Sequence, residues 1–156
     1  MPSRGGFTLL EMLIVGMLGA LLLAFAANAT RWYTRSISDQ HISSELGREL
    51  KFAAQAIAQD FGRSVAAQTG DGTDLLFDYD SNGDSTAQWA APDKVIRYVL
   101  QGGVLLRRDL SDGTEIPIAR NINTVSVSGD GTELDVYLLA TYRTTQQDLT
   151  LALPNP

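Results

Sequence analysis

The chain has 156 residues, a formal net charge of −6, one histidine and no cysteine. The missing cysteine excludes a thiol nucleophile, a disulfide framework, a thiolate zinc site and an iron–sulfur cluster. A single histidine, His41, excludes a two-histidine metal motif, and the acidic balance opposes attraction to phosphate backbones, so direct nucleic-acid binding is not expected.

The average composition conceals two physical parts. Phe7 to Ala27 carries 17 apolar side chains in 21 residues and one charge, Glu11, whereas the remainder has the apolar share of an ordinary soluble domain. At 1.5 Å per residue this stretch spans roughly 31 Å as a helix, the thickness of a bilayer's hydrocarbon. A secretory signal has a shorter apolar core of about 7 to 15 residues; Ala24 to Ala29 nevertheless offers the small residues of a signal-peptidase site, so ordinary secretion stands as an alternative. Arg31-Trp32-Tyr33-Thr34-Arg35 follows, with the rings and cations of an interfacial anchor. Arg31 and Arg35 outnumber Arg4 on the other side, so charge counting alone does not orient the span.

The string Gly5-Gly6-Phe7-Thr8-Leu9-Leu10-Glu11-Met12-Leu13-Ile14 resembles the start of the type IV pilin-like family, which comprises pilins, minor pilins and type II secretion pseudopilins. The resemblance implies a leader over residues 1–6, cleavage between Gly6 and Phe7 by a membrane-embedded prepilin peptidase, and methylation of the Phe7 amine. It also implies an assembly role for Glu11, whose carboxylate would pair with the amino terminus of an adjacent subunit. Physical chemistry points the same way, because a carboxylate one turn into an apolar helix is costly in lipid unless a partner neutralises it. The alternative is that Glu11 lies shallow enough to reach the headgroups.

From Ile37, apolar residues recur at Ile42, Leu46, Leu50, Ala53 or Ala54, Ile57, Phe61 and Val65, the three- and four-residue steps of one helical stripe. Arg48, Glu49, Lys51, Gln55, Gln59 and Arg63 occupy the opposite side. With no proline from Phe7 to Gln68, one helix of about 60 residues is expected. The expected divisions are a leader at 1–6, a transmembrane or filament-core half-helix at 7–30, an amphipathic half-helix at 31–67 and a β-domain at 68–156. Asn28 stands where many major pilins carry a helix-breaking proline, which favours a minor pilin or pseudopilin; His41 reads as a solvated surface residue.

Beyond residue 68, β-rich runs alternate with turn signals: Asp74–Tyr79, Val95–Leu100, Val104–Leu110, Glu115–Ala119, Thr124–Ser128, Leu134–Arg143 and Asp148–Leu153. Gly102-Gly103, Asp112-Gly113 and Asp130-Gly131 punctuate them. This predicts an antiparallel sheet of about five to seven strands covering the helix stripe, an α+β fold. The layout resembles PilW-type minor pilins and J-type pseudopilins, through Val95-Ile96-Arg97-Tyr98-Val99-Leu100 and Gly103-Val104-Leu105-Leu106-Arg107.

Asp78-Tyr79-Asp80-Ser81-Asn82-Gly83-Asp84 opens like a calcium loop, with oxygen ligands expected from Asp78, Asp80, Asn82 and Asp84. Its twelfth position is Trp89 rather than glutamate, which excludes a full EF-hand. A partial Ca2+ site and a hairpin loop whose Asp and Asn satisfy turn geometry both remain open.

These readings predict a non-enzymatic structural subunit of a type IV pilus or type II secretion pseudopilus, acting in filament initiation or assembly. Its implied partners are other pilin-like subunits, prepilin peptidase and an inner-membrane assembly platform. It would lie in the bacterial inner membrane with a cytoplasmic N-terminus and a periplasmic C-terminal domain before entering the filament. The alternatives are a major pilin-like subunit or a membrane-anchored calcium-binding, adhesion or receptor protein.

Overall fold

A computed structural model describes residues 8–70, 73–129 and 133–154. One helix, α1 (Leu9–Phe61), precedes eight strands: β1 (Ala66–Thr69), β2 (Leu75–Tyr79), β3 (Lys94–Gln101), β4 (Val104–Asp109), β5 (Glu115–Arg120), β6 (Ile122–Gly129), β7 (Glu133–Tyr142) and β8 (Thr145–Pro154). The chain divides at His41/Ile42 into two compact units.

In the first unit, every large apolar side chain from Leu9 to Phe25 is exposed, between 48% at Ile14 and 85% at Leu9. Apolar surface of this extent needs a non-aqueous partner, and the helix is long and apolar enough to cross a membrane. Polar groups along it are satisfied locally: the Thr30 hydroxyl donates to the Ala26 carbonyl at 2.8 Å and the Thr34 hydroxyl to the Thr30 carbonyl at 2.8 Å. Trp32 and Tyr33 are exposed just beyond the span.

In the second unit the same helix becomes one-sided. Leu46, Leu50, Ala53, Ile57 and Phe61 are buried, whereas Arg48, Lys51, Gln55 and Gln59 face outward. The buried stripe packs on Leu75, Phe77, Ile96, Tyr98 and Leu105 and on Ile122, Val125, Val136, Leu138 and Ala140. Each fully buried leucine or isoleucine contributes about 1.5–3 kcal/mol of transfer free energy. Phe61, Phe77 and Tyr98 meet edge to face, with ring centroids 6.1 and 5.9 Å apart.

Two antiparallel sheets replace the single expected one. The first is a meander ordered β1-β2-β3-β4-β5, and the second is β6-β7-β8. The change of sheet occurs at Asn121, whose φ of 59° lies in the left-handed region and redirects the chain between β5 and β6. The β3–β4 hairpin uses Gly102 and Gly103, with φ of 58° and 78°, as a two-residue turn requiring positive φ at both positions. On the edge strand β5, Pro117 removes a donor, and a bulge between Leu105 and Leu106 breaks its register with β4.

The helix also ends earlier than expected, at Phe61 rather than residue 67. The Ser64 hydroxyl and amide both donate to the Phe61 carbonyl, and the Val65 amide donates to the Asp78 carbonyl at 2.8 Å. Val65 therefore leaves the helical stripe and leads into β1, a strand absent from the expected set. The Asp130-Gly131 turn lies outside the described residues.

Candidate functional site

At the head of α1, Thr8 and Glu11 form a reciprocal cap. The Thr8 amide and hydroxyl donate to Glu11 Oε2 at 2.8 and 3.0 Å, and the Glu11 amide donates to the Thr8 hydroxyl at 3.3 Å. A Thr-x-x-Glu capping box satisfies donors that the first helical turn leaves without carbonyl partners. Its sequence signature is a threonine three residues before a glutamate at the start of an apolar run. Oε2 takes both Thr8 bonds and Oε1 neither. The cap thus fixes one carboxylate oxygen at the head of the apolar helix. Gly6 and Phe7, the expected cleavage and methylation positions, lie outside the described residues.

A second carboxylate, Asp60, sits in the last turn of α1 and is 5% exposed. Its Oδ1 accepts the Tyr79 hydroxyl at 2.7 Å and Arg107 Nη2 at 3.2 Å; its Oδ2 accepts the Tyr98 hydroxyl at 2.7 Å and Arg107 Nε at 2.6 Å. β2, β3 and β4 each supply one partner, so a single side chain ties the helix to three adjacent strands. Burial disfavours the Asp60 charge, but the hydrogen bonds from Arg107, Tyr98 and Tyr79 outweigh it and hold the carboxyl below the ordinary carboxylate range. Burial and the neighbouring carboxylate push the Tyr79 hydroxyl up to about 12, and raise Tyr98 as well. The residues of the two strand motifs, Tyr98 and Arg107, thereby acquire a physical purpose. Asp60 itself escaped sequence reading, although its place three residues after Ile57 puts a charge on the buried stripe.

The acidic loop does not gather its four expected ligands. Asp80 Oδ1 accepts the Gly83 and Asp84 amides at 2.5 and 3.2 Å, and Oδ2 accepts the Ser85 amide at 2.8 Å. Asp84 accepts the Thr86 amide, Asn82 Nδ2 and Gln88 Nε2, while Asn82 Oδ1 accepts the Asp84 amide. These are the local bonds of an ordered turn. Asp78 lies elsewhere, wholly buried, with Oδ2 accepting the Trp89 amide at 2.5 Å and Oδ1 lacking any hydrogen-bond partner. Burial and adjacent Asp93 push its carboxyl above the ordinary range. Among the described residues, no three Asp, Glu or His side chains converge as a metal site.

Three further ion pairs join neighbouring parts of the first sheet: Lys94 to Asp109 at 2.5 Å, Arg97 to Asp74, and Arg108 to Glu115 at 2.5 Å. Comparisons with protein-family models, curated proteins and solved structures returned no match.

Proposed function

We propose that this chain is a structural, non-enzymatic subunit of the type IV pilin-like class, a minor pilin or pseudopilin that works by assembling into a filament. The observation that carries the reading is Glu11: a capped carboxylate near the start of an exposed apolar helix, directly after Gly-Phe-Thr-Leu-Leu. Such a group needs a neutralising cation in lipid, and the amine created by cleavage before Phe7 on a neighbouring subunit has the right charge. Because the cap uses groups of Thr8 and Glu11 only, cutting the Gly6–Phe7 bond leaves its members intact.

The span would hold the subunit in the inner membrane before assembly, with its β-domain on the extracytoplasmic side. Prepilin peptidase and the membrane assembly platform would process and extract it. A domain without cysteine would keep its integrity in an oxidising compartment through helix-on-sheet packing and the Asp60 cluster.

Mass spectrometry of the membrane-extracted chain tests this reading. An N-terminus at methylated Phe7 is expected; an end near residue 28, or an intact Met1 in cells containing prepilin peptidase, overturns it.

A further inference from the structure

The second unit carries opposite charge on two of its outer faces. Where α1 packs on the sheets, Arg48, Lys51 and Arg63 point away from them, and Phe52 is 54% exposed in their midst. Positions 48, 52, 55, 59 and 63 follow the three- and four-residue steps of one helical face. From residue 42 to residue 61, Glu45 is the one exposed carboxylate. Among the described residues, none of the three cations has an ion pair or a side-chain hydrogen bond.

The second sheet presents the other sign. Val136, Leu138 and Ala140 of β7 join the core beneath the helix, so strand alternation turns Asp135, Tyr137 and Leu139 to the opposite face. The antiparallel register sets Thr150 beside Tyr137 and Asp148 beside Leu139 on that face. β6, β7 and β8 hold three carboxylates, Glu133, Asp135 and Asp148, and no lysine, arginine or histidine. Asp135 and Asp148 are exposed and, among the described residues, their side chains have no partner. They lie about 14 Å apart across the sheet, and Lys51 and Arg63 about 18 Å apart along the helix, a difference that long cationic side chains span. An aromatic ring stands between the charged ends on both faces, Phe52 between Arg48 and Arg63 and Tyr137 between Asp135 and Asp148.

We propose that the outer face of α1 around Arg48, Lys51, Phe52 and Arg63 docks on the outer face of β7 and β8 around Asp135, Tyr137 and Asp148 of a second copy of this chain. Each face repels its own kind, because two such helices or two such sheets brought together across a two-fold axis oppose like charges. The helix face and the sheet face attract. Pairing two different surfaces leaves one of each free on every dimer, so the contact repeats as an open array instead of closing. A relation near to a translation also keeps the apolar helices of all copies pointing the same way, as anchorage in one membrane requires. The contact rests on the filament reading only for why copies of the chain meet.

The absence of cysteine allows a direct test by disulfide cross-linking of the full chain. Two differently tagged copies, one with Gln55→Cys on the helix face and one with Thr150→Cys on the sheet face, are co-expressed and oxidised in membrane preparations. The mixed disulfide should exceed either homodimer, and high salt should lower its yield. Asp135→Lys with Asp148→Lys in the Thr150→Cys copy should reduce the mixed species severalfold, and Arg48→Glu with Lys51→Glu in the Gln55→Cys copy should then restore it. Unfolding temperatures should stay as in wild type, since these side chains are exposed and unpaired. Homodimers in excess, no mixed disulfide, or a yield indifferent to charge reversal overturns the contact; if the reversed copies do not fold, a salt-insensitive yield from the unreversed pair overturns it. A chain that forms no cross-link but binds a DNA duplex, and loses it with Arg48→Glu and Lys51→Glu, would give the helix face to nucleic acid and equally overturn the contact. Methylated Phe7 without the mixed disulfide removes this contact alone, whereas an intact Met1 beside a charge-dependent mixed disulfide removes the filament reading and leaves the contact standing.

Discussion

Two carboxylates stand near opposite ends of α1, and their surroundings could hardly differ more. Glu11 lies among exposed apolar side chains, and its described hydrogen bonds are with Thr8, in its own helical turn. Asp60 is buried, and its partners come from positions 19, 38 and 47 residues away. A charge whose partners are all within the chain is a clamp on the tertiary fold. A charge with only a local cap, set in a surface that water does not favour, retains the capacity to pair with another molecule. The same residue class thus serves cohesion at one end and, in the proposed assembly role, would serve association at the other.

Substitutions at the two positions should therefore separate cleanly. Glu11→Ala should abolish or severely reduce incorporation into filaments, measured in sheared surface fractions, while membrane insertion and the unfolding temperature of the β-domain stay as in wild type. Normal incorporation would break the contrast at its functional end. Asp60→Ala should do the reverse in kind. It strands Arg107 and two tyrosine hydroxyls against the helix, and loss of one partner of a buried ion pair costs about 3–5 kcal/mol. Chemical denaturation in detergent should register a loss near the lower figure, since Arg107 keeps 23% of its side chain exposed. A change below about 1 kcal/mol, the ordinary range of a surface pair, would show that the clamp is not one.

Acid sharpens the same comparison with a smaller effect. The folded Asp60 carboxyl lies below its ordinary value, because the bonds from Arg107, Tyr98 and Tyr79 exceed the opposing effect of burial. Asp109 is displaced in the same direction, with Lys94 and Ser111 overcoming its burial. For such groups the unfolded chain binds the proton first. The stability they confer is therefore present above the unfolded value, about 3.9, and drains as pH falls through the lower folded values. Asp78, raised by burial, has the opposite sign. Asp60→Asn should consequently flatten the acid limb of the stability profile relative to wild type, in a series of denaturation midpoints from about pH 6 down to pH 2. An unchanged limb would remove Asp60 from the acid response.

How much of this could be read from residues alone follows the range of the interactions. The apolar span and the stripe from Leu46 to Phe61 are periodic features of local sequence, and both are present in the fold. So are the hairpin glycines 102 and 103. Val65 continued the helical period by four residues and misled, because its amide is claimed by the Asp78 carbonyl, a contact that no local pattern encodes. The division into two sheets turns on one backbone angle at Asn121. The acidic loop shows the same limit: alternating oxygens at 78, 80, 82 and 84 described a ligand series, yet three of these positions spend their oxygens on turn geometry. The fold takes Asp78 out of that series, wholly buried with its Oδ2 accepting the Trp89 amide.

The smallest effect concerns how the helix meets the second sheet. Gly47 lies in the middle of α1, where glycine costs about 0.8–1.0 kcal/mol relative to alanine. A Cβ there would stand 2.8 Å from Oε1 of Gln147 on β8, while Gln147 Nε2 donates to the Ser43 hydroxyl at 2.6 Å. The obstacle is the far end of a flexible side chain, so Gly47→Ala should displace the amide rather than the strand. Loss of that hydrogen bond costs about 1 kcal/mol, nearly cancelling the gain in helix propensity, and the single variant should unfold within about 0.5 kcal/mol of wild type. With Gln147→Ala already in place the obstacle is gone, and adding Gly47→Ala should then stabilise by about 1 kcal/mol. A double-mutant cycle by urea denaturation reads the difference directly, and additive behaviour of the two substitutions would show that Gly47 is not kept small by Gln147.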